Sequence, residues 1–498
     1  MKLNQIALAV AATCAAAPSF ALTPAQIDGG TVQLWISGAT APTASVYKGI
    51  VKLCKDDDGV AGPDDLHTYV SSDVPTATQA TDAIPGKSAA GKFTAYACTM
   101  GPLAGSLDGV KTVVYHTFDA GSFEAYTPHL VIAGEPANAA IPTSLKRMKD
   151  ITAVGSTCTL LAAPANTYDN CGTVTLPFAV GTANTDPYSV PVVPQGGFSD
   201  TEYTLNQLNL NVTKSIGDIG VEAPTNVGQG FGLAVSYPLY FAMQQKEIAA
   251  GKIAATCDDA PATSASPNMT AACQPNATRQ QYSSVVSAGS VTNKSAALFG
   301  APANSVLKVE RRVGTSGTQS SSNAFFLNAP CATGPALGAL APSGTNTAGT
   351  TSYNGGKVLV RANNGSGDVK ASISSASTAG EYAIGVLSLE NVPSATEKFA
   401  FVKVNSVSPN FTSAGVADAK QRANAIAGDY EFWYELVGFS ATSAFTEGVD
   451  LINGTIAALG DPTITDLTGL FVTKNAGVSG TNVSTGYKKG NACAAAVQ

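Results

Sequence analysis

The stretch Val309-Glu310-Arg311-Arg312-Val313-Gly314-Thr315-Ser316-Gly317-Thr318-Gln319 has the chemistry of an oxyanion clamp. Two guanidiniums stand beside small residues and hydroxyls, and residues 320–327 have the makings of a helix. Gly314 and Gly317 let the backbone turn its N–H groups toward a ligand, and a helix start adds unpaired donors and positive dipole potential. An anion would sit there without a metal. Arg-rich Gly/Ser/Thr loops are common, so this one gains meaning only from the turns that precede it.

Three such turns occur. The alternating run Thr31-Val32-Gln33-Leu34-Trp35-Ile36 reads as a half-buried strand and leads into Ser37-Gly38-Ala39-Thr40-Ala41-Pro42. Beyond Pro42, Val46, Ile50 and Leu53 share one helical face, which places the Thr40 hydroxyl at a strand-turn-helix junction. Lys111-Thr112-Val113-Val114-Tyr115-His116 is a second β-prone run, and it leads to Phe118-Asp119-Ala120-Gly121-Ser122. Gly196-Gly197-Phe198-Ser199-Asp200 forms the third turn and adds a carboxylate. A carboxylate suits an anion that keeps a proton to donate, as phosphate does and fully ionised sulfate does not.

In order and motif these turns resemble the periplasmic phosphate-binding proteins of ABC importers, a branch of the type II periplasmic-binding-protein superfamily. Ser37-Gly38-Ala39-Thr40-Ala41-Pro42 is similar to that family's Gly-Ala-Thr-Phe-Pro turn, and the segment from Tyr115 to Ser122 to its strand and Gly-Ser turn. Phe198-Ser199-Asp200 is similar to its Ser-Asp turn, and Arg311 through Thr318 to its Arg-Arg-x-x-x-Ser-Gly-Thr loop. Weaker similarity runs through Phe231-Gly232-Leu233-Ala234-Val235, Gln280-Gln281-Tyr282, Tyr382-Ala383-Ile384-Gly385 and Lys403-Val404-Asn405.

The resemblance implies phosphate or a related tetrahedral oxyanion as ligand. Thr40 and Ser122 would donate hydroxyls and N–H groups, and Ala41 a backbone contact. Arg312 would be the bidentate cation, Ser316, Gly317 and Thr318 further donors, and Asp200 the acceptor of the phosphate proton. Two departures stand out: Ala41 replaces an aromatic residue, and the turn before Ser122 is longer and carries Asp119. The implied architecture is a two-lobed α/β fold of periplasmic-binding-protein type with disulfide-stapled loop insertions near residues 54–110 and 136–194. Lobe 1 would comprise residues 22–232 and 386–498, and lobe 2 residues 233–385, with crossovers near 231–236 and 382–386 and the ligand in the cleft between them. The function implied is solute binding for ABC-type uptake, with a membrane transporter complex as partner, no cofactor and no catalysis.

Composition agrees with an exported chain. Met1-Lys2, an apolar stretch over residues 6–12 and Ser19-Phe20-Ala21 read as a cleavable secretory signal over residues 1–21, which points to a periplasmic or secreted protein. Cys14 lies inside that segment, where Ala11-Ala12-Thr13 makes a poor lipobox. Eight cysteines then remain: Cys54, Cys98, Cys158, Cys171, Cys257, Cys273, Cys331 and Cys493. An even count outside the cytoplasm argues for disulfides. Their connectivity is open; pairing of neighbours would pin three local loops and tie the C-terminal tail to the body. The net charge of −7 and the lack of a basic stripe exclude nucleic acid as a partner. No stretch after the signal is long and apolar enough to span a bilayer.

The remaining signals are weaker. Asp56-Asp57-Asp58 lacks the ligand spacing of a calcium loop, and His67, His116 and His129 are not spaced as a metal set. Gly228-Gln229-Gly230-Phe231-Gly232 lacks the dinucleotide-binding pattern, and residues 238–252 read as an amphipathic helix. Two other functions compete: a secreted surface, matrix or filament protein with a vestigial cleft, and a hydrolase using Ser122 or Ser316, which would lack a Gly-x-Ser-x-Gly elbow.

Overall fold

The alternating run around Trp35 forms strand β1 (Val32–Gly38), buried along its whole length. The structure, a computed structural model, describes residues 22–57, 62–63, 65–71, 93–119, 121–138, 141–153, 157–162, 166–258, 266–331, 349–394 and 396–497. The signal-sequence reading and Asp58 fall outside these. Seven further strands position the candidate site: β2 (Lys111–Thr117), β3 (Gly196–Ser199), β4 (Gly220–Ser236), β5 (Leu307–Arg312), β6 (Val358–Asn363), β7 (Tyr382–Ser388) and β8 (Trp433–Ala441). They run β6-β5-β7-β4-β8-β3-β1-β2 within one mixed sheet of 15 strands among the described residues. The fold is α/β.

Parallel pairing decides where the turns meet. β1 lies parallel to β2, with Ser37 opposite Thr117, and parallel to β3, with Gly38 opposite Phe198. The turns after all three strands therefore leave the sheet at one edge, where α/β folds collect their ligands. β5, β6 and β7 form a second parallel group, with Arg312 opposite Asn363 at its end. The 17-residue β4 joins the groups: Gly220 to Gly230 pairs antiparallel with β8, and Phe231 to Val235 with β7. The close approach of β1 and β3 requires Gly38, which has φ +139° and whose Cβ would fall 2.0 Å from the Phe198 carbonyl oxygen.

Five helices matter for the site: α1 (Thr43–Leu53), α2 (Tyr203–Leu210), α3 (Gly317–Leu327), α4 (Ser366–Thr378) and α5 (Thr446–Leu459). The core under the second strand group is gathered mainly from residues 231–404, with Phe432, Trp433 and Phe471 added from the C-terminal part. α1 packs instead into a core that includes Val46, Ile50 and Leu53 with Leu451 and Ile452 of α5.

The region 54–110 is not loop throughout. Strands His67–Ser71 and Phe93–Thr99 pair with each other, and the second continues onto β2. Their β-branched and aromatic residues bury against the sheet despite the Gly- and Pro-rich sequence between them. Likewise, Ser144–Met148 and Thr173–Pro177 form a separate antiparallel pair within residues 136–194.

The cysteines pair as neighbours: Cys54 with Cys98, Cys158 with Cys171, Cys257 with Cys273, and Cys331 with Cys493. Four disulfides suit an oxidising compartment. The last closes a separation of 162 residues, against 44, 13 and 16 for the others. Closing a longer loop removes more unfolded-state entropy, so Cys331→Ser with Cys493→Ser is expected to cost the most, about 5 kcal/mol. Denaturant midpoints of the four double-serine variants check this, and a larger loss from the Cys158–Cys171 pair would contradict it.

Candidate anion site

Three of the turns meet at Ser122. Its buried Oγ accepts hydrogen bonds from the Asp200 N–H at 3.3 Å and the Gly317 N–H at 3.2 Å. Alongside, the Phe123 N–H donates to the Thr315 carbonyl at 3.0 Å. Turns from β2, β3 and β5 are thus in direct contact. Gly317 leaves no space: a Cβ there would fall 2.3 Å from Ser122 Oγ and 2.7 Å from Asp200 Cβ.

Asp200 is 4% exposed, and its Oδ1 has no hydrogen-bond partner among the described residues. Burial pushes its pKa up to about 6, while the Ser122 hydroxyl and the Arg312 charge pull the other way. It is a buried acceptor for which the described residues supply no donor.

Arg312 closes β5. Strand neighbours point to opposite faces, so only one of the two arginines serves the site. Arg311 turns away and donates to Asn323 Oδ1 at 3.3 Å. Arg312 donates from Nε and Nη2 to the Asn364 carbonyl at 3.1 and 2.8 Å, and from Nη1 to Ser366 Oγ at 2.9 Å. These bonds hold the guanidinium at the start of α4. Burial lowers its pKa to about 10, opposed by Asp200, Asp368 and Glu390, so it stays charged at neutral pH.

α3 begins at Gly317, earlier than residues 320–327 suggested, and is buried along its whole length. Two of its polar side chains are matched rather than solvated. Ser320 Oγ donates to Asn206 Oδ1 of α2 at 2.6 Å, and Gln319 Nε2 to Asn323 Oδ1 at 2.8 Å. Ser316 occupies the N-cap position, and Thr318 is 2% exposed in the first turn.

Thr40 and Ala41 stand apart from this cluster. The Thr40 hydroxyl donates to the Phe118 carbonyl at 3.0 Å, and both residues line an adjoining cavity. Asp119, in the longer turn, is half-buried. His116 is buried against Tyr96 and Phe118, and burial drives its pKa down to about 3, so it is neutral.

Sequence reasoning missed Glu390. This half-buried carboxyl follows β7, accepts from the Ser388 hydroxyl at 3.3 Å, and lines the cavity with Thr40. Burial and the Asp200 charge raise its pKa to about 8. Its place just beyond a parallel strand is the only signal that would have found it.

No protein-family model and no curated protein sequence matches the chain. Among solved structures, it is similar to one described as a candidate phosphate ABC transporter substrate-binding protein with bound phosphate from Clostridium perfringens. The identity there is 14%, covering 50% of this chain and 70% of that one, with a TM-score of 0.26. It is also similar to a possible phosphate binding protein from Planctomyces limnophilus, at 9% identity over 86% of each chain and a TM-score of 0.30. TM-scores this low lend no weight to a ligand assignment, which must come from the side chains themselves.

Proposed function

We propose that the chain is an exported solute-binding protein that holds phosphate, or a related protonated oxyanion, between Asp200, Ser122, Arg312 and the start of α3, for ABC-type uptake. The observation that carries this reading is the buried Asp200 Oδ1 without a donor. Such an atom costs about 1–3 kcal/mol until a hydrogen reaches it. A protonated phosphate brings that hydrogen and takes N–H and guanidinium donors on its other oxygens, whereas sulfate has none to give. Ligand access requires the Ser122 and Gly317 turns to separate, and the shared strand β4 is the natural hinge.

A second reading has its own support. The Ser122 and Gly317 turns already bond each other, and Arg312 is committed to Asn364 and Ser366. That arrangement also suits a surface, matrix or filament protein whose cleft has closed for good.

Titration calorimetry separates the two. Phosphate and arsenate are expected to bind and sulfate not. Arg312→Ala should weaken phosphate by about 100-fold, because it leaves a buried anion without its cation. Silence with all three anions, together with self-assembly or adhesion, would favour the second reading.

A further inference from the structure

The Ser122 and Asp200 turns come from different strands, and one carboxyl group joins the segments that follow them. Glu222 Oε1, on β4, accepts the Tyr126 hydroxyl at 2.5 Å and the Tyr203 N–H at 2.8 Å. Tyr126 follows the short 3₁₀ turn Ser122–Ala125, and its N–H donates to the Phe123 carbonyl at 2.9 Å. Tyr203 opens α2 shortly after Asp200, and Asn206 of the same helix donates to Thr201 Oγ1 at 3.1 Å. Each anchor is thus tied by local backbone to a residue of the proposed site.

Aromatic packing holds the two anchors against each other. Glu222 lies opposite Phe439 in the pairing of β4 with β8 and so shares its face. Phe123, Tyr126, Tyr203 and Phe439 belong to one buried cluster. The Tyr126 ring centroid lies 5.2 Å from that of Tyr203 and 5.0 Å from that of Phe439, and Phe123 stacks on Tyr203 at 5.8 Å. In a close-packed cluster neither turn can rotate without moving these rings.

We infer that Glu222 is a positioning residue: by holding Tyr126 and Tyr203 it fixes the Ser122 hydroxyl against the Asp200 and Gly317 N–H groups, and so sets the spacing of the anion site without touching the ligand. Its effect on ligand affinity rests on the oxyanion reading above; its effect on the turns does not. Stability gives no competing reason for an acid here. Glu222 forms no ion pair among the described residues. Burial raises its pKa to about 7, with Glu202 adding to the rise while Tyr126 and Tyr203 pull the other way. A carboxyl raised in this way costs the fold stability once it ionises.

The test uses Glu222→Leu, Glu222→Gln and Tyr126→Phe at about pH 8, where the raised carboxyl is ionised. Amide hydrogen exchange is read by mass spectrometry on the peptides that carry Asp200 and Gly317, beside thermal melts and calorimetry with inorganic phosphate. Glu222→Leu should speed exchange in both peptides about tenfold and leave β6 and β7 as they are. It should melt within about 3 °C of the parent, because losing an ionised buried carboxylate offsets the two donors left unpaired. Phosphate should bind about tenfold more weakly. Glu222→Gln keeps an oxygen for both donors and should bring exchange and affinity back to within about threefold of the parent. Tyr126→Phe should weaken phosphate alone but add little to Glu222→Leu, since both act through one bond. Parent-like exchange of the two peptides in Glu222→Leu would overturn the inference. So would faster exchange across the whole sheet with a melting point lowered by more than about 10 °C, the mark of a merely structural residue. If the parent binds no phosphate and Glu222→Leu still loosens the two peptides, the oxyanion reading falls and the positioning role stands.

Discussion

Asp200→Asn is expected to abolish phosphate binding and, at the same time, to raise the melting temperature of the unliganded protein above about pH 6. The two effects have one cause. Burial lifts the Asp200 pKa from 3.8 to about 6, so the folded chain holds this proton more tightly than the unfolded chain. The sign follows from linkage: the carboxyl's contribution to stability is fully present below 3.8 and is lost as pH rises through about 6. At about 1.4 kcal/mol for each pH unit separating the folded and unfolded values, the ionised group costs the fold about 3 kcal/mol. Asparagine carries no charge and escapes that cost, but it no longer accepts the ligand's proton with a full negative charge, and a loss of at least about 100-fold in affinity follows. Thermal melts over a pH series, with and without phosphate, read both effects. A variant with no thermal advantage above pH 6 would show that Arg312 already compensates the buried charge.

Gly317→Ala should hold the two turns apart. The new methyl group would meet Ser122 Oγ at 2.3 Å and Asp200 Cβ at 2.7 Å, and both neighbours are themselves buried. Gly317 opens α3, where alanine is the better helix former by up to about 1 kcal/mol, so any loss is steric. We expect a net destabilisation of about 1–3 kcal/mol and loss of the Gly317–Ser122 and Phe123–Thr315 contacts. Phosphate affinity should fall with them. Gly367 in α4 is the control, since nothing lies within 4 Å of its would-be Cβ. Alanine there should leave both stability and binding intact or slightly improved. If Gly317→Ala melts and binds like the parent, the turns are not in the contact described.

The individual turns were legible because their chemistry is local. Thr40, Ser122, Asp200, Arg312 and Gly317 stand out by residue type, and the strand-turn-helix signals around them are periodic. Their juxtaposition was not legible, because it depends on β8, a strand from residues 433–441 that pairs with both β3 and β4. No local pattern announces a partner more than 200 residues away in sequence. Strands His67–Ser71 and Phe93–Thr99 were hidden by the small and turn-forming residues around them. The burial of α3 was masked by its own composition. Ser320, Ser321, Ser322 and Asn323 suggest a solvated face until Asn206 appears opposite. Glu390 belongs to no motif, and only its place just after β7 singles it out.

The Cys331–Cys493 bond also bears on how the clamp can move. α3 opens on the turn proposed to supply anion donors, and Cys331 follows shortly after its last residue. The far end of the helix is thereby leashed to the chain's tail, which itself grips β8 where Lys488 lies over Trp433 and Tyr434 and the Gly490 N–H donates to Glu435. The opening turn is held by weaker ties, the Gly317 N–H on Ser122 and the Ser320 hydroxyl on Asn206. At about 1.5 Å of rise per residue, the covalent tie and the hydrogen-bonded turn lie about 16 Å apart, at opposite ends of one helix. On the proposed oxyanion reading, cutting the leash would leave the donors' chemistry unchanged and loosen the far end of the helix that carries them.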